Sequence, residues 1–87
     1  MNVQVKFENN GEHSPHAMLI RVAVRFANTF DECADARLDY LAELFRELLP
    51  TGLAPGRVPL PNALIYRGGN HVAVCSGNDR IALITVE

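Results

Sequence analysis

The side chains best able to do chemistry gather in Glu12-His13-Ser14-Pro15-His16, where two imidazoles and a carboxylate lie close together. A zinc site takes three or four ligands from cysteine, histidine and carboxylate. A centre here would need His71, Cys33 or Cys75 brought in from distant parts of the chain. His13, His16 and His71 are therefore the candidate ligands of a metal, or the candidate bases of a catalytic site. Two features weigh against that chemistry. His-x-x-His with an intervening proline is no metal signature, and Cys33 and Cys75 lack Cys-x-x-Cys spacing, as suits two small buried hydrophobes. There is also no P-loop, no Gly-x-Gly-x-x-Gly, no Gly-x-Ser-x-Gly and no His-Glu-x-x-His. No catalytic residue is assigned, no cofactor is expected, and a metal-binding or enzymatic role through the three histidines is a minor alternative.

Charge pattern offers a second kind of site. Glu32, Asp35, Asp39, Glu43 and Glu47 fall within about a third of a helical wheel, with Arg46 as the cation among them. Four of them step by four residues, so each repels the next by roughly 0.2–0.5 kcal/mol. They form the candidate partner-binding surface, an acidic docking stripe suited to a basic protein. The plainer alternative is a solvated face whose early acids favour the helix dipole. Arg37 lies on the opposite side of that wheel, among Leu41, Leu44 and Leu48. An uncompensated buried charge is expensive, so Arg37 is expected to snorkel, to stack on a ring, or to meet a buried partner or an anion.

The elements that must position these residues follow from periodicity. Residues 2–7 alternate, with Val3, Val5 and Phe7 on one side, which predicts a half-buried strand. Asn9-Asn10-Gly11 and Pro15 then supply turn chemistry. Residues 17–27 admit two readings. As a strand, Met18, Ile20, Val22, Val24 and Phe26 make one unbroken apolar face; as a helix, Leu19, Val22, Ala23, Phe26 and Ala27 make a stripe behind a Ser14-Pro15 start. Alternation and β-branched residues favour the strand, with His13 and His16 at an exposed hairpin tip. A long amphipathic helix is predicted over 30–49, about 30 Å in length, opened by a Thr29/Glu32 capping box and stopped by Pro50 and Gly52. The proline-rich segment 50–62 reads as a stiff extended crossing and a second candidate surface for a partner. Three short strands close the chain as a meander, "ALIYR", "HVAVCS" and "RIALITVE", joined at "GGN" and "GND".

The predicted fold class is α+β in one domain spanning 1–87: a single antiparallel sheet in the order β-β-α-β-β-β, packed on the helix at 30–49. The alternative order is β-α-α-β-β-β. In the preferred order the sheet carries more apolar surface than one helix covers, so a second copy is the expected cover, and Ala23, Ala82 and Ile84 are the candidate self-association residues.

Composition bounds the class of function. The chain has 87 residues, 48% hydrophobic and 21% charged, a soluble globular balance. At this length it should bury roughly 60–65% of its unfolded surface, enough for a core without staples. A net charge of -2 argues against nucleic acid as partner. No stretch approaches the ~20 apolar residues of a membrane span, and the start has no signal-peptide pattern, so the expectation is a cytoplasmic protein with no membrane partner.

Three partial resemblances accompany this reading. "VPLPNALIYRGGNHVAV" followed by "NDRIALITV" is similar to a strand pair in the adaptor proteins of bacterial efflux pumps, over about a third of the chain. The preferred element order resembles the roadblock/longin-type core, which implies self-association and binding of small GTPases or motor subunits. The two-helix order resembles the RelE/ParE toxin arrangement, which implies a small sheet cupping an RNA or gyrase target. The leading expectation is a homodimeric interaction module; a toxin-like effector is the alternative.

Overall fold

The computed structural model describes residues 1–52 and 58–87. Strand β1 (Val3–Phe7) runs through a 3-10 turn at Gly11–His13 into helix α1 (Ala17–Ala27) and then helix α2 (Ala34–Leu48). Strands β2 (Ala63–Arg67), β3 (His71–Ser76) and β4 (Asp79–Val86) follow. The four strands form one antiparallel sheet in the order β1-β4-β3-β2, so the first strand of the chain pairs with the last. The fold class is α+β, with the β-α-α-β-β-β order.

Residues 17–27 are thus a helix, not the strand that alternation favours. The reason lies in which positions are buried. Ala17, Ile20, Ala23, Val24 and Ala27 form the buried stripe, at the three- and four-residue spacing of a helix. Met18, Val22 and Phe26, which a strand would have buried beside Ile20 and Val24, stay more than half exposed. Small Ala17, Ala23 and Ala27 let the helix lie close to its neighbours. The buried stripe is also rotated from the one read off the sequence, since Val22 and Phe26 face outward. Ser14 lies two residues ahead of the His16 N-cap, which has no side-chain cap bond, and its Oγ accepts the His16 N–H at 3.3 Å; the chain turns here into a helix, so there is no hairpin tip at 12–16.

α2 starts later than the predicted 30. The capping box at 29–32 does not form: the Thr29 hydroxyl donates to the Phe26 carbonyl at 2.6 Å, satisfying the end of α1 instead. Residues 28–33 are spent on turning the chain between two helices, and Cys33 stands at the N-cap without a side-chain bond.

Both helices cover one face of the sheet. Val3, Val5 and Phe7 register with Val86, Ile84 and Ala82, and Val72 and Val74 continue the same rows on β3. Leu38, Leu41, Ala42 and Phe45 of α2 meet them, and Phe45, Ile20, Leu41 and Ile84 are fully enclosed. Phe30 stands edge-to-face with both Phe26 and Tyr40, and the three rings seal the seam between the helices. Past α2, the Leu60 N–H returns to the Leu49 carbonyl at 2.7 Å. The proline-rich segment at 50–62 is described at both its ends, and residues 53–57 lie outside the described residues.

Two glycines are demanded by position. A Cβ at Gly11 would fall inside contact distance of the Ile81 carbonyl oxygen, so only glycine lets the 3-10 turn lie on β4. Gly77 has φ +61 in the β3–β4 turn, a conformation that side chains disfavour.

Candidate functional site

The sheet ends on β1 at one side and β2 at the other, and the two edges are finished differently. In an antiparallel ladder, alternate residues direct both backbone groups at the neighbour and the rest direct them away. The Glu8 N–H donates to the Ile81 carbonyl and the Glu87 N–H to the Asn2 carbonyl, each at 2.9 Å. Even-numbered residues of β1 therefore bond to β4, and Val3, Val5 and Phe7 turn their N–H and C=O groups outward. Asn28, just past the end of α1, occupies the first of these positions. Its Oδ1 accepts the Val3 N–H and its Nδ2 donates to the Val3 carbonyl, both at 2.9 Å. One side-chain amide thus stands in for one residue of a next strand. Val5 and Phe7 have no such substitute among the described residues.

At the β2 edge the same alternation turns Ala63, Ile65 and Arg67 outward. There Arg46 of α2 reaches over to the Ile65 carbonyl at 3.3 Å. Arg67 closes over α2, donating to Asp39 Oδ1 at 2.9 Å and Asp35 Oδ1 at 2.5 Å. Desolvation works against the Arg67 charge, but its bonds to the two aspartates outweigh that and raise its pKa.

Beside the open part of β1 lies a groove of about 480 Å³ between the strand and α1. Val5 and Phe7 form its strand wall, and Met18 and Val22 its helix wall. Met18 is 67% exposed and Val22 53%, an unusual state for two apolar side chains on one helix face. Arg21 and Arg25 line the same groove. The Arg21 guanidinium lies over the Phe7 ring, 4.8 Å from its centroid, and among the described residues neither arginine pairs with a carboxylate.

The residues singled out from the sequence are distributed otherwise. Asp35, Asp39, Glu43 and Glu47 do line the exposed side of α2, but Glu32 lies ahead of the helix, in the connection. Arg67 pairs with both Asp35 and Asp39, which leaves Glu43 and Glu47 as the acids of α2 in the stripe without an ion-pair partner among the described residues. Arg37 is buried, and among the described residues it pairs with no acid. It donates to the carbonyls of Met1 at 2.5 Å and Phe30 at 2.7 Å, and to Asn2 Oδ1 at 3.2 Å, pinning the start of the chain to the interhelical turn. Ala23, Ala82 and Ile84 are in the core, not on a self-association surface. Once 17–27 is a helix, Ala23 faces the sheet, and the row with Ala82 and Ile84 is the one the helices cover. The opposite sheet face shows Leu64 and Tyr66, with Leu83 between them and Lys6.

The three histidines stay apart. His16 is buried and its Nε2 meets the Val58 carbonyl at 2.5 Å; since a carbonyl only accepts, that nitrogen carries the proton. His13 is exposed and 3.5 Å from its neighbour Glu12, while His71 lies against Asn70. Among the described residues no three histidine, cysteine or acidic side chains converge as a metal site would need. Cys33 is exposed and Cys75 buried, both as thiols, and burial pushes the Cys75 pKa up. On the outer side of the sheet Glu8 and Arg80 form an ion pair, whose hydrogen bond holds the Glu8 carboxyl below its ordinary pKa. Among the described residues no helix is long and apolar enough to cross a membrane.

Sequence reasoning missed Asn28, Arg67 and the groove. An asparagine after a helix reads as an ordinary C-terminal cap, and nothing local says that its amide meets a strand 25 residues earlier. No protein-family model, curated protein or solved structure matches the chain.

Proposed function

We propose that the chain is a small interaction module, acting in the cytoplasm, that takes up an extended segment of a partner along β1. One observation supports this most: Val5 and Phe7 hold open backbone donors and acceptors at a sheet edge, directly beside an apolar groove. Strand addition draws its affinity from such main-chain groups and its selectivity from neighbouring side-chain pockets. Natural sheets ordinarily blunt an open edge, as Asn28 blunts this one at Val3.

The test compares the partners captured by wild type with those captured by Met18→Lys/Val22→Glu and by Glu43→Lys/Glu47→Lys. Both pairs alter exposed residues and leave the core alone. Specific loss with the first pair supports the edge. Loss with the second pair alone would move the binding surface to the acidic stripe of α2, and unchanged partners in both would refute either surface.

Two further readings each have an observation behind them. Exposed Leu64 and Tyr66, on the sheet face away from the helices, favour a homodimer packed face to face. A strict monomer in light scattering at high concentration would rule that out. The β-α-α-β-β-β order favours a toxin-like effector, although fold-level likeness hosts many functions. Normal growth of bacteria expressing the chain strongly would count against it.

A further inference from the structure

Strand addition at β1 leaves open what the added strand is, and the side chains around the edge narrow it. A second copy of this chain is the simplest occupant, so its registers come first. Outward-facing residues must oppose outward-facing residues, and the centred pairings of β1 with itself that join more than one outward pair centre on Gln4, Val5 or Lys6; the first sets Val3 against Val5 and loses both pairs to Asn28. Centred on Val5, the pairing sets Val3 against Phe7 of the other copy, twice over. Asn28 already holds both backbone groups of Val3, so both outer pairs are lost. Centred on Lys6, the pairing sets Val5 against Phe7 and places Lys6 directly opposite the other copy's Lys6. Like charges directly opposite each other in an antiparallel pair are destabilising. A twofold axis through this edge also brings the two α1 helices together on the same side of the sheet, so the Arg21 and Arg25 pairs face each other. Register and charge both disfavour self-pairing at this edge.

The same positions define what does fit. Successive side chains of an added strand point to opposite faces of the sheet. Residues opposite Val5 and Phe7 point towards α1, into the groove walled by Met18 and Val22, and suit apolar side chains. The residue between them points to the outer face, opposite Lys6, and suits a carboxylate. Arg21 and Arg25, without carboxylate partners among the described residues, line the groove and call for further negative charge along the segment.

Resting on the edge reading above, we infer that the occupant of β1 is an extended segment of a different protein with an apolar-acidic-apolar pattern. Its apolar residues pack against Val5, Phe7, Met18 and Val22, the carboxylate between them meets Lys6 on the outer face, and a carboxylate at a groove-side position beyond the apolar pair meets Arg21 or Arg25. The chain's charges are arranged accordingly, with cations at the β1 groove and unpaired acids on α2.

The probes are capped seven-residue peptides alternating valine with glutamate, glutamine or lysine, titrated into the full chain while its amide resonances are followed. The glutamate peptide is expected to shift the Val5 and Phe7 amides and slow their exchange, and to bind on the order of tenfold more tightly than the lysine peptide. Lys6→Glu, which changes an exposed residue only, is expected to reverse that order, because the charged side chains of the peptide and Lys6 share the outer face. Equal binding of all three peptides at Val5 and Phe7 would overturn the acidic partner and leave the edge reading standing. Failure of every peptide to touch those two amides would overturn both. Protection of the same amides that grows with protein concentration, with no peptide present, would put a second copy at the edge and overturn the inference.

Discussion

Asn28→Ala tests the way this sheet is finished, because one side chain makes both bonds to Val3. The substitution removes an acceptor from the Val3 N–H and a donor from its carbonyl, each at 2.9 Å. A hydrogen bond of this kind contributes about 0.5–1.5 kcal/mol. Val3's side chain is buried, but its outward backbone groups lie at the rim, where water replaces part of the loss. The expected destabilisation is therefore about 1–2 kcal/mol, which in a domain of this size lowers Tm by about 5–15 °C. Urea unfolding provides the free energy, and amide exchange provides the location: the Val3 N–H should lose protection while those of Gln4 and Lys6, bonded to β4, keep theirs. Asn28→Asp keeps the acceptor but loses the donor, so at neutral pH its destabilisation should persist. Removing the amide also frees the Val5-centred pairing of two copies, so Asn28→Ala should sediment as a concentration-dependent dimer more readily than wild type. Stability within about 0.5 kcal/mol of wild type, with Val3 still protected, would refute the strand-mimic role.

Arg37→Met should cost about 2 kcal/mol in urea unfolding, since it leaves the Met1 and Phe30 carbonyls without their charged donor. An unchanged midpoint would mean that the desolvation of the guanidinium cancels its bonds. Glu8→Gln should change the acid limb of stability. The Glu8 pKa is lowered by its bond to Arg80, so the contribution is complete above the ordinary carboxyl value of 4.5 and is lost as pH falls through the lower folded value. The Tm difference between wild type and Glu8→Gln should hold from pH 7 to about pH 5 and shrink as pH falls below the ordinary carboxyl value of 4.5; a difference as large at pH 3 as at pH 7 would contradict this. Exposed Cys33 should react with a thiol reagent well before buried Cys75, whose pKa is raised by burial. Equal labelling rates in the folded protein would show that Cys75 is accessible.

Strands were legible where alternation, β-branched residues and turn glycines agreed. β1 was recognised with its buried face, and the closing meander nearly to the residue. The core of α2 was equally legible, with Leu38, Leu41 and Phe45 on one stripe. Segment 17–27 was not, because its composition satisfies two periods at once. Met18, Ile20, Val22, Val24 and Phe26 are as regular in a strand as Ala17, Ile20, Ala23, Val24 and Ala27 are in a helix, and only the partner surfaces choose. The capping box at 29–32 failed for a related reason: a local pattern lost to a nearby acceptor, the Phe26 carbonyl.

Local sequence, then, determined the α+β class, the strands and the helix at 34–48, because hydrophobic period and turn chemistry act over a few residues. Tertiary structure decided everything about the candidate site. It set β1 at an edge beside β4, brought the Asn28 amide onto Val3, laid Arg67 across Asp35 and Asp39, and put Met18 and Val22 beside Val5 and Phe7. Each of these depends on which strand lies outermost and which helix face turns to the sheet. Those choices are made by burial summed over the whole chain, and no window of neighbouring residues contains them.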